Sequence, residues 1–245
     1  MSGEKVSEKG SDTRERILVA AARLLAEGGS EALSTRAVIA AAGVQAPTLY
    51  RAFGDKDGLL DAVAGYGFER YLAEKHAMSS TGDPVEDMRR GWDTHVDFGL
   101  THPAFYVLMY GTVRPGHRPA AAEDAYAMLR AMVERTARAG RLHVPVDAAA
   151  QAIQATCAGV TLSLISTPAE DRDLTLSPRL RDTVLASLTT DPHSTGPTSG
   201  DASADAAVAI HALALNAALG EQPTALSDTE TALLRDWLER LAAPR

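Results

Sequence analysis

Between Ser34 and Leu60 the chain reads STRAVIAAAGVQAPTLYRAFGDKDGLL: an apolar run, a lone Gly, a second run, another Gly and the start of a third. Each of the first two runs has room for only about two helical turns, and isolated helices that short are marginal in water. Something other than burying surface on their own must set their length. Ser34 is a good N-cap and Gly43 a good C-terminal stop, so the first helix is expected over about Thr35–Ala42. Pro47 suits the first turn of the second, expected from after Gln45 to Ala52 or Phe53, and Gly54 ends it. Helix, Gly-bearing turn and second short helix make a helix-turn-helix. In that arrangement the second helix only has to lie in a major groove and touch a few base edges, which explains its length.

The flanking segments supply the rest of a small core. Ile17, Ala21, Leu24 and Leu25 share one helical face, on a helix that Asp12 and Glu15 open and Gly28-Gly29 closes. Leu33, Val38, Ile39, Val44, Leu49 and Phe53 are expected to pack against it. A long fourth helix, capped by Asp55 and running from about Lys56 to Met78, would close the core with Leu59, Leu60 and Val63. The apolar residues are mostly Ala and Leu, aromatics are 5%, and β-branched runs are almost absent, so the whole chain reads as all-α. Further helices are expected at about 84–100, 103–111, 118–140, 147–166, 178–190, 202–219 and 227–242, separated by Pro and Gly. The organisation is then a disordered polar leader over 1–11, a helix-turn-helix domain over 12–60, and a larger helical domain over 61–245 with a mobile loop at 191–201.

Charge and cysteine narrow the function. The net charge is −8, but residues 1–60 hold eight basic and eight acidic residues, so the acidic excess lies wholly in the remainder. The head is the less repulsive part towards DNA phosphates. Lys56 is one of only four lysines, and it opens a helix, where its charge opposes the macrodipole. That placement points to an external anion. Cys157 is alone, so no intrachain disulfide forms; it reads as a small buried hydrophobe. The N-terminus has no apolar core of a signal peptide, and the apolar stretch from Ala148 to Ile165 is interrupted by Gln151, Gln154 and Thr156. A cytoplasmic protein with no membrane partner is expected. No G-x-S-x-G, P-loop, G-x-G-x-x-G or H-E-x-x-H occurs, and no catalytic residue or cofactor is assigned.

The stretch resembles the DNA-binding domain of the TetR family of bacterial regulators. The resemblance rests on Thr35, Val38-Ile39-Ala40, Ala42-Gly43-Val44, Thr48-Leu49-Tyr50, Phe53, Lys56 and Leu59-Leu60, and covers about residues 12–65. The chain departs from the pattern with Gln45 where Ser is usual at the cap, and with Ala37 where Arg is usual. Gln is a weaker N-cap, but its amide can pair bidentately with adenine. The resemblance implies DNA contacts from Thr35, Arg36, Gln45, Ala46, Pro47, Thr48, Tyr50 and Lys56. Arg51 ranks below these, as a helix charge that can point away from the groove. A homodimer on a palindromic double-stranded operator is implied too, since one short helix reads few bases. The small-residue face around Ala148, Ala152, Ala155 and Gly159 would pair with 178–190 or 202–219 in the dimer interface.

Five of the twelve aromatics fall between Trp92 and Tyr110. With the resemblance, Trp92, His95, Phe98, Phe105, Tyr106, Met109, Met128 and Met132 are expected to line an apolar pocket for a small-molecule effector. Asp93, His95 and Asp97 cannot converge on a metal, because a spacing of two turns side chains to different helix faces. The reading is an effector-responsive transcriptional regulator, a repressor released by its ligand. Two rivals differ in kind: a helical small-molecule-binding or catalytic protein that makes no specific use of its head, and a structural DNA-binding protein without an effector. The near-neutral head and acidic remainder speak against the latter.

Overall fold

A computed structural model of the chain describes residues 3–76, 80–111, 119–190, 201–220 and 224–242, with side chains left out at 3–11, 70, 71, 73–76 and 201–205. Eleven α-helices run in order among these residues: α1 (Gly3–Ala32), α2 (Thr35–Ala42), α3 (Ala46–Phe53), α4 (Lys56–His76), α5 (Pro84–Thr101), α6 (Pro103–Tyr106), α7 (Ala120–Arg138), α8 (Val146–Ser166), α9 (Leu176–Leu188), α10 (Asp201–Leu219) and α11 (Asp228–Ala242). A π-helical turn, Val107–Gly111, continues α6, and a 3-10 turn, Ala169–Asp171, precedes α9. The one pairing of extended backbone among the described residues is an isolated bridge between Leu142 and Thr189. The all-α architecture, with a helix-turn-helix head and a larger helical remainder, is as the sequence indicated.

Two differences concern α1. Its backbone is helical from Gly3, so it runs through most of the stretch expected to be a disordered leader. At Gly29, φ is 65° and ψ is −167°, so the helix kinks there and resumes for one short turn to Ala32. The expected stop is a bend. In the segment expected as one helix over 103–111, α-helix gives way to π-helix at Val107. The expected loop at 191–201 lies, from 191 to 200, outside the described residues.

The chain divides into two compact units, and the division falls within α5, between Val96 and Asp97, and within α7, between Asp124 and Ala125. The first unit is residues 1–78 and 97–124. In its head, Ile17, Ala21 and Leu25 of α1 are fully buried with Leu33, Val38, Leu49, Leu59 and Val63. Ile39, Val44, Phe53 and Leu60, expected in this core, are half-buried at its edge. Along α4 the same unit continues to Phe68 and to Phe105 and Tyr106 of α6. Gly67 lies so close to α6 that a Cβ on it would meet the Phe105 ring at 2.3 Å.

The second unit is residues 79–96 and 125–245. α8 buries Ala149, Ala150, Ile153, Cys157, Val160, Thr161 and Leu164 along one face. By length and composition alone α8 could cross a membrane, but this face is spent inside the unit, as in a core helix. Polar groups in the interior are satisfied: the Thr161 hydroxyl donates to the Cys157 carbonyl at 2.7 Å, and Trp92 Nε1 donates to Ser177 Oγ at 3.0 Å. α5 is tied to α9 by Arg181, whose guanidinium donates to both carboxylate oxygens of Asp93 at 2.6 Å and to Asp182 at 3.0 Å. Asp182 also pairs with Arg89. The Arg181 hydrogen bond holds the Asp182 carboxyl below its ordinary range.

Candidate nucleic-acid interface

The geometry of the head follows from its punctuation. Ser34 is in extended conformation, and its Oγ accepts from the Ala37 N–H at 3.2 Å, which opens α2. Gly43 closes it in the left-handed region, at φ 63° and ψ 39°. Its N–H donates to the Ala40 carbonyl while that of Val44 reaches back to Ile39, a Schellman stop that turns the chain sharply. Gln45 caps α3 by backbone only: it makes no side-chain cap bond, and the Thr48 N–H donates to its carbonyl at 2.9 Å. The Gln45 side chain is therefore not used in holding α3.

α3 ends at Gly54, whose N–H donates to the Tyr50 carbonyl at 2.8 Å. Asp55 then caps α4, its Oδ1 accepting from the Gly58 N–H at 2.8 Å. A Cβ on Gly58 would sit 2.1 Å from the Phe53 carbonyl oxygen, so only glycine lets α4 start this close to the end of α3. From the other side, the Arg14 guanidinium of α1 lies over the Phe53 ring, 5.0 Å from its centroid. The far end of α3 is thus held by α1 and α4 together.

Leu49 anchors α3 inward and is fully buried. The opposite face carries Pro47, Tyr50 and Arg51, all exposed, with Gln45 exposed before it and Ala46 and Thr48 half-exposed at its flanks. Tyr50 stands out as a large ring left 47% exposed. Pro47 and Arg51 are four residues apart, on one helical face. Arg51 therefore stands with the other exposed residues of α3, higher than its rank in the sequence. Arg36, in the first turn of α2, and Lys56, at the first position of α4, are exposed as well, and Thr35 is half-exposed. Arg36, Arg51 and Lys56 have no hydrogen-bond or ion-pair partner among the described residues. Three uncommitted cations, a phenol and an unused amide on one small motif suit a polyanion with readable edges.

Comparison with known proteins agrees. Residues 17–63 match the sequence model for bacterial regulatory proteins of the tetR family. By this domain the chain belongs to the TetR family. No match is found among curated protein sequences. Similar solved structures include a protein from Shewanella sp. PV-4 described as a tetR-family transcription regulator, at 18% identity and TM-score 0.58, covering 73% of this chain and 99% of the other. A protein of unknown function from Rhodococcus sp. RHA1 aligns at 24% identity and TM-score 0.56, covering 73% and 96%. The TetR-family regulator PfmR from Thermus thermophilus aligns at 25% identity and TM-score 0.50, covering 70% and 97%. The likeness at these identities is one of fold. In each case the other protein is covered almost whole, and about a quarter of this chain is left over.

The eight residues expected to hold an effector fall into both units of this TetR-family chain. Phe98, Phe105, Tyr106 and Met109 are buried in the first. There Phe98 stacks on His102, with ring centroids 5.3 Å apart, and Tyr106 lies 4.7 Å from Tyr110. Nothing in the sequence singles out His102, yet its Nδ1 is buried without a hydrogen-bond partner among the described residues. Trp92, His95, Met128 and Met132 belong to the second unit, where Trp92 is buried and the other three half-buried. A groove of about 550 Å³ in the second unit is lined by Arg130, Glu134, Leu213, Asn216, Arg235 and Glu239 among others, and by none of those eight. No cluster of His, Cys, Asp and Glu able to hold a metal occurs among the described residues.

Proposed function

We propose that this TetR-family chain is a repressor that binds a palindromic double-stranded operator as a homodimer and leaves it when a small molecule binds. The single observation that carries the reading is the outward face of α3, where Pro47, Tyr50 and Arg51 are exposed and Leu49 fixes the helix from behind. In this reading Gln45, Ala46, Pro47, Thr48 and Tyr50 meet base edges and adjoining sugar-phosphate, while Thr35, Arg36, Arg51 and Lys56 meet phosphates. Residues 12–60 read DNA, and 61–245 carry the effector and the second protomer. The face of α8 for that protomer carries Ala148, Ala155, Gly159 and Ser163, all exposed, with Gln151 exposed and Ala152 half-buried beside them. Small side chains let a partner helix approach closely.

Release works through α4. The effector binds in the 84–166 region and favours a conformation in which α4 holds the two heads at the wrong separation. The close approach of Gly67 to Phe105 gives α6 a direct purchase on α4. Operator affinity then falls by the coupling free energy between the two sites, typically about 1–3 kcal/mol. The protein acts in the cytoplasm and is assigned no catalytic step.

The test is a gel shift with DNA from immediately upstream of the protein's own gene, across a salt series, with Tyr50→Ala beside the wild type. Specific retardation that Tyr50→Ala weakens is the expected result. Equal retardation of any duplex, or full affinity in the variant, would refute the assignment of α3.

A further inference from the structure

The groove of about 550 Å³ in the second unit has no part in the DNA face and shares no residue with the expected effector pocket. Its size is that of a small-molecule site, about 300–1,000 Å³. α7 contributes Arg130 and Glu134, and the first turn of α8 contributes Asp147. α10 and α11 contribute Leu213, Asn216, Arg235 and Glu239.

The charged groups of the groove divide into committed and uncommitted ones. Arg130 Nε donates to Asp147 Oδ1 at 2.8 Å, and Arg130 Nη1 lies 2.7 Å from Glu134. These three are engaged with one another. Arg235 and Glu239 are not. They stand four residues apart on α11, the spacing at which Asp236 and Arg240 of the same helix do pair. Arg235 instead donates from Nε to Asn216 Oδ1 at 3.0 Å, which fixes the guanidinium and leaves both its Nη groups to donate elsewhere. Glu239 has no hydrogen-bond or ion-pair partner among the described residues. A cation held in place and an anion without a partner thus border one groove and do not meet each other.

That arrangement selects a ligand by its charges. The lining holds two basic and three acidic residues, so a simple anion meets more acid than base. A simple amine satisfies Glu239 and leaves the Nη groups of Arg235 unused. A molecule with a carboxylate and an ammonium on one carbon answers both. The two Nη groups of Arg235 suit a carboxylate, through parallel charge-assisted hydrogen bonds. Asn216 has its Oδ1 taken and its amide N–H groups left to donate to the same carboxylate. Glu239 accepts from the ammonium. Leu213, Ala217 and Ala242 give the groove an apolar surface for a side chain.

We propose that this groove is a binding site for a free α-amino acid with a large apolar side chain, its carboxylate held by Arg235 and its ammonium by Glu239. It is a small-molecule site separate from the eight residues expected to hold an effector. The inference does not depend on the DNA-binding reading.

The experiment is isothermal titration of the full chain with L-phenylalanine, beside 3-phenylpropionate, which lacks the ammonium, and 2-phenylethylamine, which lacks the carboxylate. Each of the two should bind about tenfold more weakly than phenylalanine, the low end of what a hydrogen bond to a charged group contributes. Glu239→Gln is expected to weaken phenylalanine about tenfold and to leave 3-phenylpropionate no weaker. Arg235→Gln is expected to weaken phenylalanine by a similar factor and to leave 2-phenylethylamine unchanged. Both side chains are exposed and lie outside the α10–α11 core, and circular dichroism checks that each variant is folded. No binding of phenylalanine at millimolar concentration would overturn the proposal. Binding that both variants leave unchanged would overturn the assignment to this groove. If 2-phenylethylamine binds as tightly as phenylalanine, the groove takes a cation and the role given to Arg235 is wrong.

Discussion

Two glycines of α4 should respond to the same substitution with opposite signs. Gly58 lies in its first turn, and a Cβ there would stand 2.1 Å from the Phe53 carbonyl oxygen. That oxygen is backbone, so no rotamer change relieves the clash. Opening the contact to 3.0 Å, the closest a Cβ tolerates, moves the end of α3 away from α4 by about 0.9 Å. α3 has eight residues and is therefore about 12 Å long. The displacement tips it by roughly 4° if its other end stays fixed. Overpacking of this kind costs about 1–3 kcal/mol, and removing a helical Gly returns up to about 1 kcal/mol. Gly58→Ala is thus expected to destabilise by about 1–2 kcal/mol, a fall in melting temperature of about 2–8 °C for a chain of this size. Gly65, two turns further along α4, has nothing within 4 Å of its Cβ position. Gly65→Ala carries only the helix-propensity gain and should raise the melting temperature by about 2–4 °C. Calorimetry of both variants decides the matter. If Gly58→Ala melts as high as Gly65→Ala, the close approach of α3 and α4 does not constrain the head. Operator affinity should fall for Gly58→Ala alone, since only that change tilts α3, the helix proposed to read DNA.

The cations of the interface separate by salt. Arg51→Ala and Lys56→Ala should each weaken operator binding and flatten the slope of log affinity against log salt by about 0.9 for each phosphate no longer neutralised, checked by fluorescence anisotropy from low to physiological salt. An unchanged slope for Arg51→Ala would remove it from the residues that meet phosphate. The α5–α9 tie predicts an acid dependence. The Arg181 hydrogen bond lowers the Asp182 pKa in the folded chain, so its contribution is present above the ordinary carboxylate range, near about 3.9, and is lost as pH falls below it. Asp182→Asn should flatten the decline in urea midpoint through that window while leaving the midpoint at pH 7 only slightly lower, because the pair is half-exposed.

The boundaries of α2 and α3 were legible to within a residue because every signal that sets them is local. Ser34, Gly43, Pro47 and Gly54 act on backbone within four residues of themselves. Features of longer range leave no such mark. The buried residues about the π-helical turn, Phe105, Tyr106, Leu108 and Met109, keep an ordinary one-face helical spacing, so nothing local marks where α-helix gives way. The bridge between Leu142 and Thr189 joins residues far apart in the chain through the His143 N–H to the Leu188 carbonyl and the Thr190 N–H to the Arg141 carbonyl. No window of sequence contains both sides of it. At the N-terminus composition misleads in the other direction. A polar stretch reads as disorder, although Glu and Lys are good helix formers and α1 continues through them.

The same distinction separates the two candidate sites. The residues proposed to face DNA lie on two short helices and the start of a third, where spacing alone gives direction, and the structure leaves each of them exposed or half-exposed. Only Arg51 needed the structure, which puts it on the face of Pro47. The residues expected to line an effector pocket are grouped by nearness in sequence, and nearness does not fix which way each side chain turns along a helix. Trp92 and Phe98 are six positions apart on α5, which turns their side chains about 240° from each other. They also fall on either side of the division between the units. Density of aromatics in a sequence shows that a region is buried. Which of its side chains share a cavity is decided by how the helices pack, and periodicity along one helix carries no record of that. α11 shows the converse. Leu233, Leu234, Trp237, Leu238 and Leu241 read in sequence as one broad apolar face, and only the packing of α10 shows that half of it is already spent. What remains exposed is then a quantity the fold defines.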